Sequence, residues 1–149
     1  MLGALLIWYL VSTLITAPYF LSYFNIISGG LRYGYQHVTD SNYDWGQDLK
    51  RLATFVETEN INRIAVDYFG GGDAKYYLGE KAEYWWSSKG SPVNENIGWL
   101  AVSINTIQQA KGRLADGQRR NPEDEYMWLA DPYKPFARAG TSIFIYKLQ

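Results

Sequence analysis

The sequence predicts an α/β fold, a small mostly parallel or mixed sheet with flanking helices, set after an N-terminal transmembrane helix. Three observations carry this expectation. No charged side chain precedes Arg32 in the 149-residue chain. Three apolar runs bounded by turn residues, at 61–69, 99–104 and 141–148, read as strands. Segments with helical periodicity alternate with them, which favours a layered α/β arrangement.

Residues 2–17 are almost wholly apolar (Leu5, Leu6, Ile7, Trp8, Leu10, Val11, Leu14, Ile15) until Pro18 interrupts. Sixteen helical residues reach only about 24 Å, against a hydrocarbon core of about 30 Å. Continuation through Tyr19, Phe20, Leu21, Tyr23 and Phe24 makes up the difference, with Pro18 as a kink and the tyrosines at headgroup depth. One helix from Leu5 to about Phe24, kinked or ended near Pro18, is therefore expected. Residues 1–27 then form the membrane helix and its exit, and residues 28–149 a domain on the polar side. A signal peptide is a rival reading, but a basic leader is lacking and Pro18 directly after Ala17 is a poor cleavage context. A buried core helix is the other rival. The nearest cations, Arg32, Lys50 and Arg51, follow the span and taken alone place the domain inside.

Beyond a turn-rich exit at 28–34, residues 35–39 suit a short strand. Asp44 reads as a helix N-cap, with Gln47 at the third helical position as a variant capping box. Leu49, Leu52, Ala53 and Val56 then recur at helical spacing, predicting an amphipathic helix that ends near Asn60. The 61–69 strand puts Ile64 and Val66 on one face; Gly70 to Gly72 close it, and Asp73 caps a short helix through Tyr77. A strand at 99–104 precedes a helix at 106–114 and a charged loop at 117–125. In the last strand Ile143 and Ile145 alternate against Phe144, Tyr146 and Leu148.

The inventory excludes several chemistries. A net charge of −1 gives no basic surface for nucleic acid. The absence of cysteine removes disulfides, thiolate metal sites and thiol nucleophiles. His37 is the only histidine, so imidazole metal sites are out, as is any triad not centred on it; a hydrogen-bonded loop histidine is the plain reading. No cofactor is expected. The 13 tyrosines and 6 tryptophans suit a packed core, a membrane-interface belt or a surface that stacks on sugars. Tyr84, Trp85 and Trp86 form a run open to either packing or stacking. Gly70 to Asp73 reads as a tight turn with a cap, since it lacks the spacing and lysine of a phosphate-binding loop.

The densest polar cluster is 40–48. Asp40, Asn42 and Asp44 imitate the start of a calcium loop, but Trp45 and Arg51 stand where such a loop needs glycine and a bidentate glutamate, so no metal is expected. One reading is structural: Asp40 and Asn42 make side-chain turns and Asp44 caps the helix. The other is a ligand loop at the carboxyl end of the sheet, where α/β folds place ligands. Asp40, Asn42, Asp44, Trp45, Gln47 and Asp48 would then contact a hydroxyl-rich substrate.

From Pro18 onward the chain resembles the C-terminal part of family 39-like membrane glycosyltransferases, relatives of the dolichyl-phosphate-mannose protein mannosyltransferases. The resemblance rests on residues 18–25 (PYFLSYFN), Gly29-Gly30, Gly34-Tyr35 and the block 40–49 (DSNYDWGQDL). It continues through Tyr68-Phe69-Gly70 with Asp73 and Tyr76-Tyr77, then 98–103 (GWLAVS) and 137–146 (ARAGTSIFIY). It implies the last membrane helix of such an enzyme and the extracytoplasmic domain after it. The family's catalytic acids lie in an early loop with no counterpart here, so no catalytic residue is carried over. The expected function is a non-catalytic C-terminal domain or fragment of a membrane glycosyltransferase that uses a polyprenyl-phosphate-linked sugar. Its expected partners are the lipid bilayer, the enzyme's remaining membrane segments, and a polyprenyl-phosphate sugar or glycan. Two alternatives stay open: an independent membrane-anchored carbohydrate- or polymer-binding module, and a small anchored hydrolase using Asp40, Asp44 or Asp48 as paired carboxylates.

Overall fold

The computed structural model describes residues 1–37, 43–111, 115–119, 126–129 and 134–149. The first helix, α1 (Leu2–Thr16), has 15 residues, which is about 22 Å of rise. Of the two expected forms, the helix ends just before Pro18 and does not run kinked through to Phe24. Ala17 is extended (ψ 137°), as steric conflict with a following proline requires, and the helical hydrogen bonds stop there. The chain folds into two 3₁₀ turns, Phe20–Ser22 and Ile26–Ser28, instead of continuing. Among the described residues no helix is long and apolar enough to cross a membrane. Nor is α1 a core helix: Leu6, Tyr9, Leu10 and Leu14 are all exposed, and only Ser12 and Thr16 are buried. A one-turn helix α2 (Gly30–Tyr33) and a 3₁₀ turn (Gly34–Gln36) follow. They occupy the start of the expected 35–39 strand; residues 38 and 39 lie outside the described residues.

Among the described residues the rest is a five-stranded sheet with helices on its faces. In chain order come α3 (Leu49–Thr58), β1 (Ile64–Asp67), α4 (Ala74–Leu78) and β2 (Ala82–Tyr84), then β3 (Trp99–Ser103), α5 (Ile104–Lys111), β4 (Ala137–Ala139) and β5 (Ile143–Lys147). The sheet order is β2-β1-β3-β5-β4. β1 runs parallel to β2 and β3, while β5 is antiparallel to both β3 and β4, so the sheet is mixed. Helix α5 begins directly at the end of β3 and reaches Lys111; residues 112–114 lie outside the described residues.

Alternation along each strand sorts the core into two layers. Ile64, Val66, Ala101, Ile143 and Ile145 face α3 and α4, meeting Leu49, Leu52, Val56, Ala74 and Leu78. On the opposite face Ala65, Leu100, Val102, Phe144 and Tyr146 pack with Tyr43, Trp85, Ile107 and Leu129. Both faces are covered, which is why β1, β3 and β5 read as nearly continuous apolar runs. The 3.6-residue stripe of α3 supplies the first layer as the spacing predicts. Leu52 is fully buried at its centre, so Leu52→Ala should lower unfolding free energy by about 2–5 kcal/mol in urea melts.

Candidate functional site

The loop 43–48 crosses the carboxyl ends of β1 and β3, the end of an α/β sheet where ligands usually bind. Its residues are held from several directions. The Asp44 carboxylate accepts from the Gly46 amide (2.8 Å) and from the Ser103 hydroxyl at the end of β3 (2.5 Å). Asp44 is fully buried, and that desolvation pushes its carboxyl above the usual range although both bonds oppose the shift. The buried Tyr43 hydroxyl donates to the Leu31 carbonyl (3.1 Å). Gln47 closes the loop on itself, accepting from the Trp45 amide (2.7 Å) and donating to the Tyr43 carbonyl (2.9 Å). Gly70, at φ +137°, lies against the backbone of Trp45 and Gly46 so closely that a Cβ there would strike it.

Asp48 makes the longest-range contacts of the loop. Its Oδ2 accepts from the amides of Thr141 (2.9 Å) and Ser142 (3.0 Å) and from the Ser142 hydroxyl (3.0 Å). Its Oδ1 accepts from Arg51 (2.7 Å). Gly140, at φ +57°, turns the chain between β4 and β5, and a Cβ on it would overlap the Asp48 carboxylate.

The capping expectation is therefore corrected. Helix α3 starts at Leu49, so Asp48 and not Asp44 stands at the N-cap position, and Gln47 lies outside the helix. Neither carboxylate caps α3: Asp44 makes a side-chain turn with Gly46, and Asp48 is drawn to the β4–β5 turn. Of the six candidate substrate-binding residues, Asp40 and Asn42 lie outside the described residues. Asp44 and Asp48 are fully buried with their oxygens engaged, which suits positioning the loop rather than touching a ligand. Trp45 (60% exposed) and Gln47 face solvent, and only the Trp45 ring offers a free stacking face.

Ser103, Gly140, Thr141 and Ser142 stand in segments that carry the resemblance, but their role as partners of the loop was not foreseen, because nothing local marks them as such so far away in the chain. A second, half-buried carboxylate escaped the sequence reading as well. Asp67, the last residue of β1, accepts from the Tyr126 hydroxyl (2.8 Å), and the Tyr126 amide donates to the Ser87 hydroxyl (2.5 Å). Burial raises the Asp67 carboxyl pKa against the opposing hydrogen bond, and burial followed by the Asp67 charge raises that of Tyr126.

Beside these lies an aromatic shelf. Asp73 caps α4 through the Lys75 amide (2.8 Å), as expected, and also accepts from Tyr84. That hydroxyl and the amide hold the exposed Asp73 carboxyl below its usual range. The Tyr84–Trp86 run divides. Trp85 is buried and donates to the Gly90 carbonyl (2.9 Å), while Tyr84 and Trp86 are exposed, with the Lys89 ammonium 4.8 Å from the Trp86 ring centre. His37 stacks on Phe24 at 5.9 Å. Among the described residues no group of three or more metal-ligating side chains occurs.

In comparisons with known proteins, no family model, no curated protein and no solved structure matches this chain.

Two measurements test this geometry. Asp48→Ala strands two buried amides and should lower stability by about 2–6 kcal/mol in denaturant melts. Gly140→Ala should also be destabilising. In the Asp48→Ala background it should cost less, with a coupling of about 0.5–3 kcal/mol, because the colliding carboxylate is gone.

The second test concerns pH. Folding raises the Asp67 pKa above its ordinary value of 3.8, so the folded state binds this proton more tightly than the unfolded one. Its contribution to stability is complete below the unfolded value and is lost as pH rises through the folded one. Asp67→Asn should therefore gain on the wild type as pH rises from about 4 towards neutral. Parallel pH profiles in thermal melts would refute this assignment.

Proposed function

We propose that this chain is the membrane-proximal, non-catalytic domain of a membrane glycosyltransferase that draws on a polyprenyl-phosphate-linked sugar, held on the extracytoplasmic side. The observation that supports this best is the N-terminal unit. A helix apolar on all sides either lies inside a large core or faces lipid, and α1 leaves most of its apolar side chains outside the core. Its about 22 Å is short for a span. The exposed Phe20, Leu21, Tyr23, Ile26 and Ile27 of the following turns extend the apolar surface with residues that suit interface depth. This elbow is fastened to the domain. Ser22 shares a hydrogen bond with Thr141 (2.6 Å), Tyr43 reaches Leu31, and the Arg51 guanidinium lies 4.8 Å from the Tyr19 ring centre. Whatever α1 inserts into therefore sets the orientation of the sheet. The burial of Asp44 and Asp48 weighs against the anchored-hydrolase reading, which needs accessible carboxylates.

The carbohydrate-binding module remains the second reading, favoured by the exposed rings of Trp45, Tyr76 and Trp86. Both readings give Trp45 a ligand-facing role, and they part on whether a glycosyltransferase needs this chain.

Three linked assays test the proposal on the full chain. It should float with phosphatidylcholine vesicles, and Leu6→Glu/Leu10→Glu should abolish flotation without altering the domain's melting. A polyprenyl-phosphate sugar in detergent micelles should perturb Trp fluorescence, and Trp45→Ala should remove that response. The purified chain should transfer no sugar by itself. Failure to float would remove the membrane-proximal part of the proposal, a silent titration the donor part, and sugar transfer by the chain alone the non-catalytic part.

A further inference from the structure

We propose that Arg32 and Arg138 form a phosphate-binding site where the apolar segment meets the sheet edge, suited to the phosphomonoester of a lipid headgroup. The lipid source rests on the membrane-proximal reading above; the phosphate chemistry does not.

An open cleft of about 430 Å³ is lined by Arg32, Pro135, Phe136, Ala137 and Arg138. Arg138 comes from edge strand β4 and is half-buried. Its guanidinium carbon lies 5.1 Å from the Tyr35 ring centre and 4.5 Å from that of Phe144. One of its amino groups donates to the Arg32 carbonyl (2.9 Å). That bond uses one of five N–H donors. The ion pairs among the described residues are Arg51–Asp48, Arg63–Glu83 and Lys81–Glu57, so neither cleft arginine has a carboxylate partner there.

Two cations on one cleft, with no carboxylate partner among the described residues, repel each other, and a phosphate dianion relieves both. Guanidinium is the side chain whose fork matches phosphate oxygens in bidentate fashion. The two rings packed against Arg138 restrict its rotamers in advance, so less freedom is lost when an anion arrives. The surroundings point to a lipid-borne phosphate. Arg32 is the first charge after the apolar segment. The exposed Ile26 and Ile27 lie just before it in the chain, and the exposed Phe136 lines the cleft itself. A phosphate attached to an acyl or prenyl chain would find both its charge and its apolar part accommodated.

The competing role for Arg138 is a clamp between β4 and α2, which a substitution there would also disturb. Arg32 separates the two. The clamp uses only the Arg32 backbone carbonyl, and among the described residues the Arg32 side chain makes no hydrogen bond or ion pair, its guanidinium lying 5.5 Å from the neighbouring Tyr33 ring centre. Arg32→Gln therefore keeps the clamp and removes the charge.

The test uses the full chain in zwitterionic detergent, titrated with inorganic phosphate and with short-chain phosphatidic acid, and followed by calorimetry. The wild type should bind phosphatidic acid, and Arg32→Gln and Arg138→Gln should each weaken binding about tenfold or more, as expected for loss of a charge-assisted bond. The Arg32→Gln variant should melt like the wild type. Saturable binding of inorganic phosphate that competes with phosphatidic acid would support the site with free phosphate as a second source; binding of phosphatidic acid alone would support the headgroup. Absence of binding in both titrations would overturn the proposal, as would undiminished binding by Arg32→Gln. The titrations are read whether or not the chain floats with phosphatidylcholine vesicles, so failure of the membrane reading is distinguishable from failure of the site.

Discussion

The carboxylate of Asp48 is the tie on which the layout of this domain depends. It sits between the start of α3 and the turn joining β4 to β5, and accepts three hydrogen bonds from Thr141 and Ser142 at 2.9–3.0 Å. Buried amides in a tight turn have few acceptors available, and leaving them unpaired is expensive. One side chain settles both amides and a hydroxyl, and Arg51 balances the charge from the solvent side. Glycine at 140 is the matching constraint, since any larger residue would claim the space the carboxylate fills. Helix α3 is thereby registered against β5, and its apolar stripe meets Ile143 and Ile145 in the layer below.

The second acid of the same loop makes a different connection. Asp44 joins the loop to the end of β3 through Ser103 and shapes its own turn through Gly46. Between them the two carboxylates fasten the loop to β3 and to the β4–β5 turn, while Tyr43 and Ser22 bring the N-terminal elbow to the same place. The exposed remainder, chiefly Trp45, is thus presented from a rigid base. A loop built this way keeps its charge inside and offers an aromatic face to solvent.

Much of this organisation was legible in the sequence, and the reasons differ by element. The two faces of β1 and β5 follow from period-two alternation, and α3 from an apolar stripe with helical spacing; both signals are local and repeated. The three-residue strands β2 and β4 are too short to display a period, so nothing marked them. The identity of the residue ahead of α3 was misread because Asp44 and Asp48 both precede the stripe, and the competitor that claims Asp48 lies 93 residues away. At the N-terminus hydropathy ran past the point where geometry intervened. Ala17 must extend ahead of Pro18, and an apolar run continues there without continuing as a helix. Of the candidate site, the location at the sheet's carboxyl end was expected from a strand-to-helix order. Yet a 3₁₀ turn (Gly34–Gln36) stands where that strand was to start, and it is the contacts with Ser103 and Gly70 that put the loop there. Which of its polar groups would be used up internally was not readable.

The sheet order carries a consequence for biosynthesis. The fourth place in β2-β1-β3-β5-β4 belongs to the strand made last, and β5 is the neighbour that covers the open side of β3. While the chain is still emerging from the ribosome, β1, β2 and β3 can pair, but β3 presents a bare edge of unpaired N–H and C=O groups between apolar side chains. The partners of Asp48 are also still unmade. Completion waits for residues 137–147, so the nascent domain passes through an interval in which β3 has a neighbour on one side only. Such long-range closure is slow and leaves an unpaired edge exposed to association. With the apolar α1 made before the sheet, the chain would pass that interval most safely with this helix already sequestered.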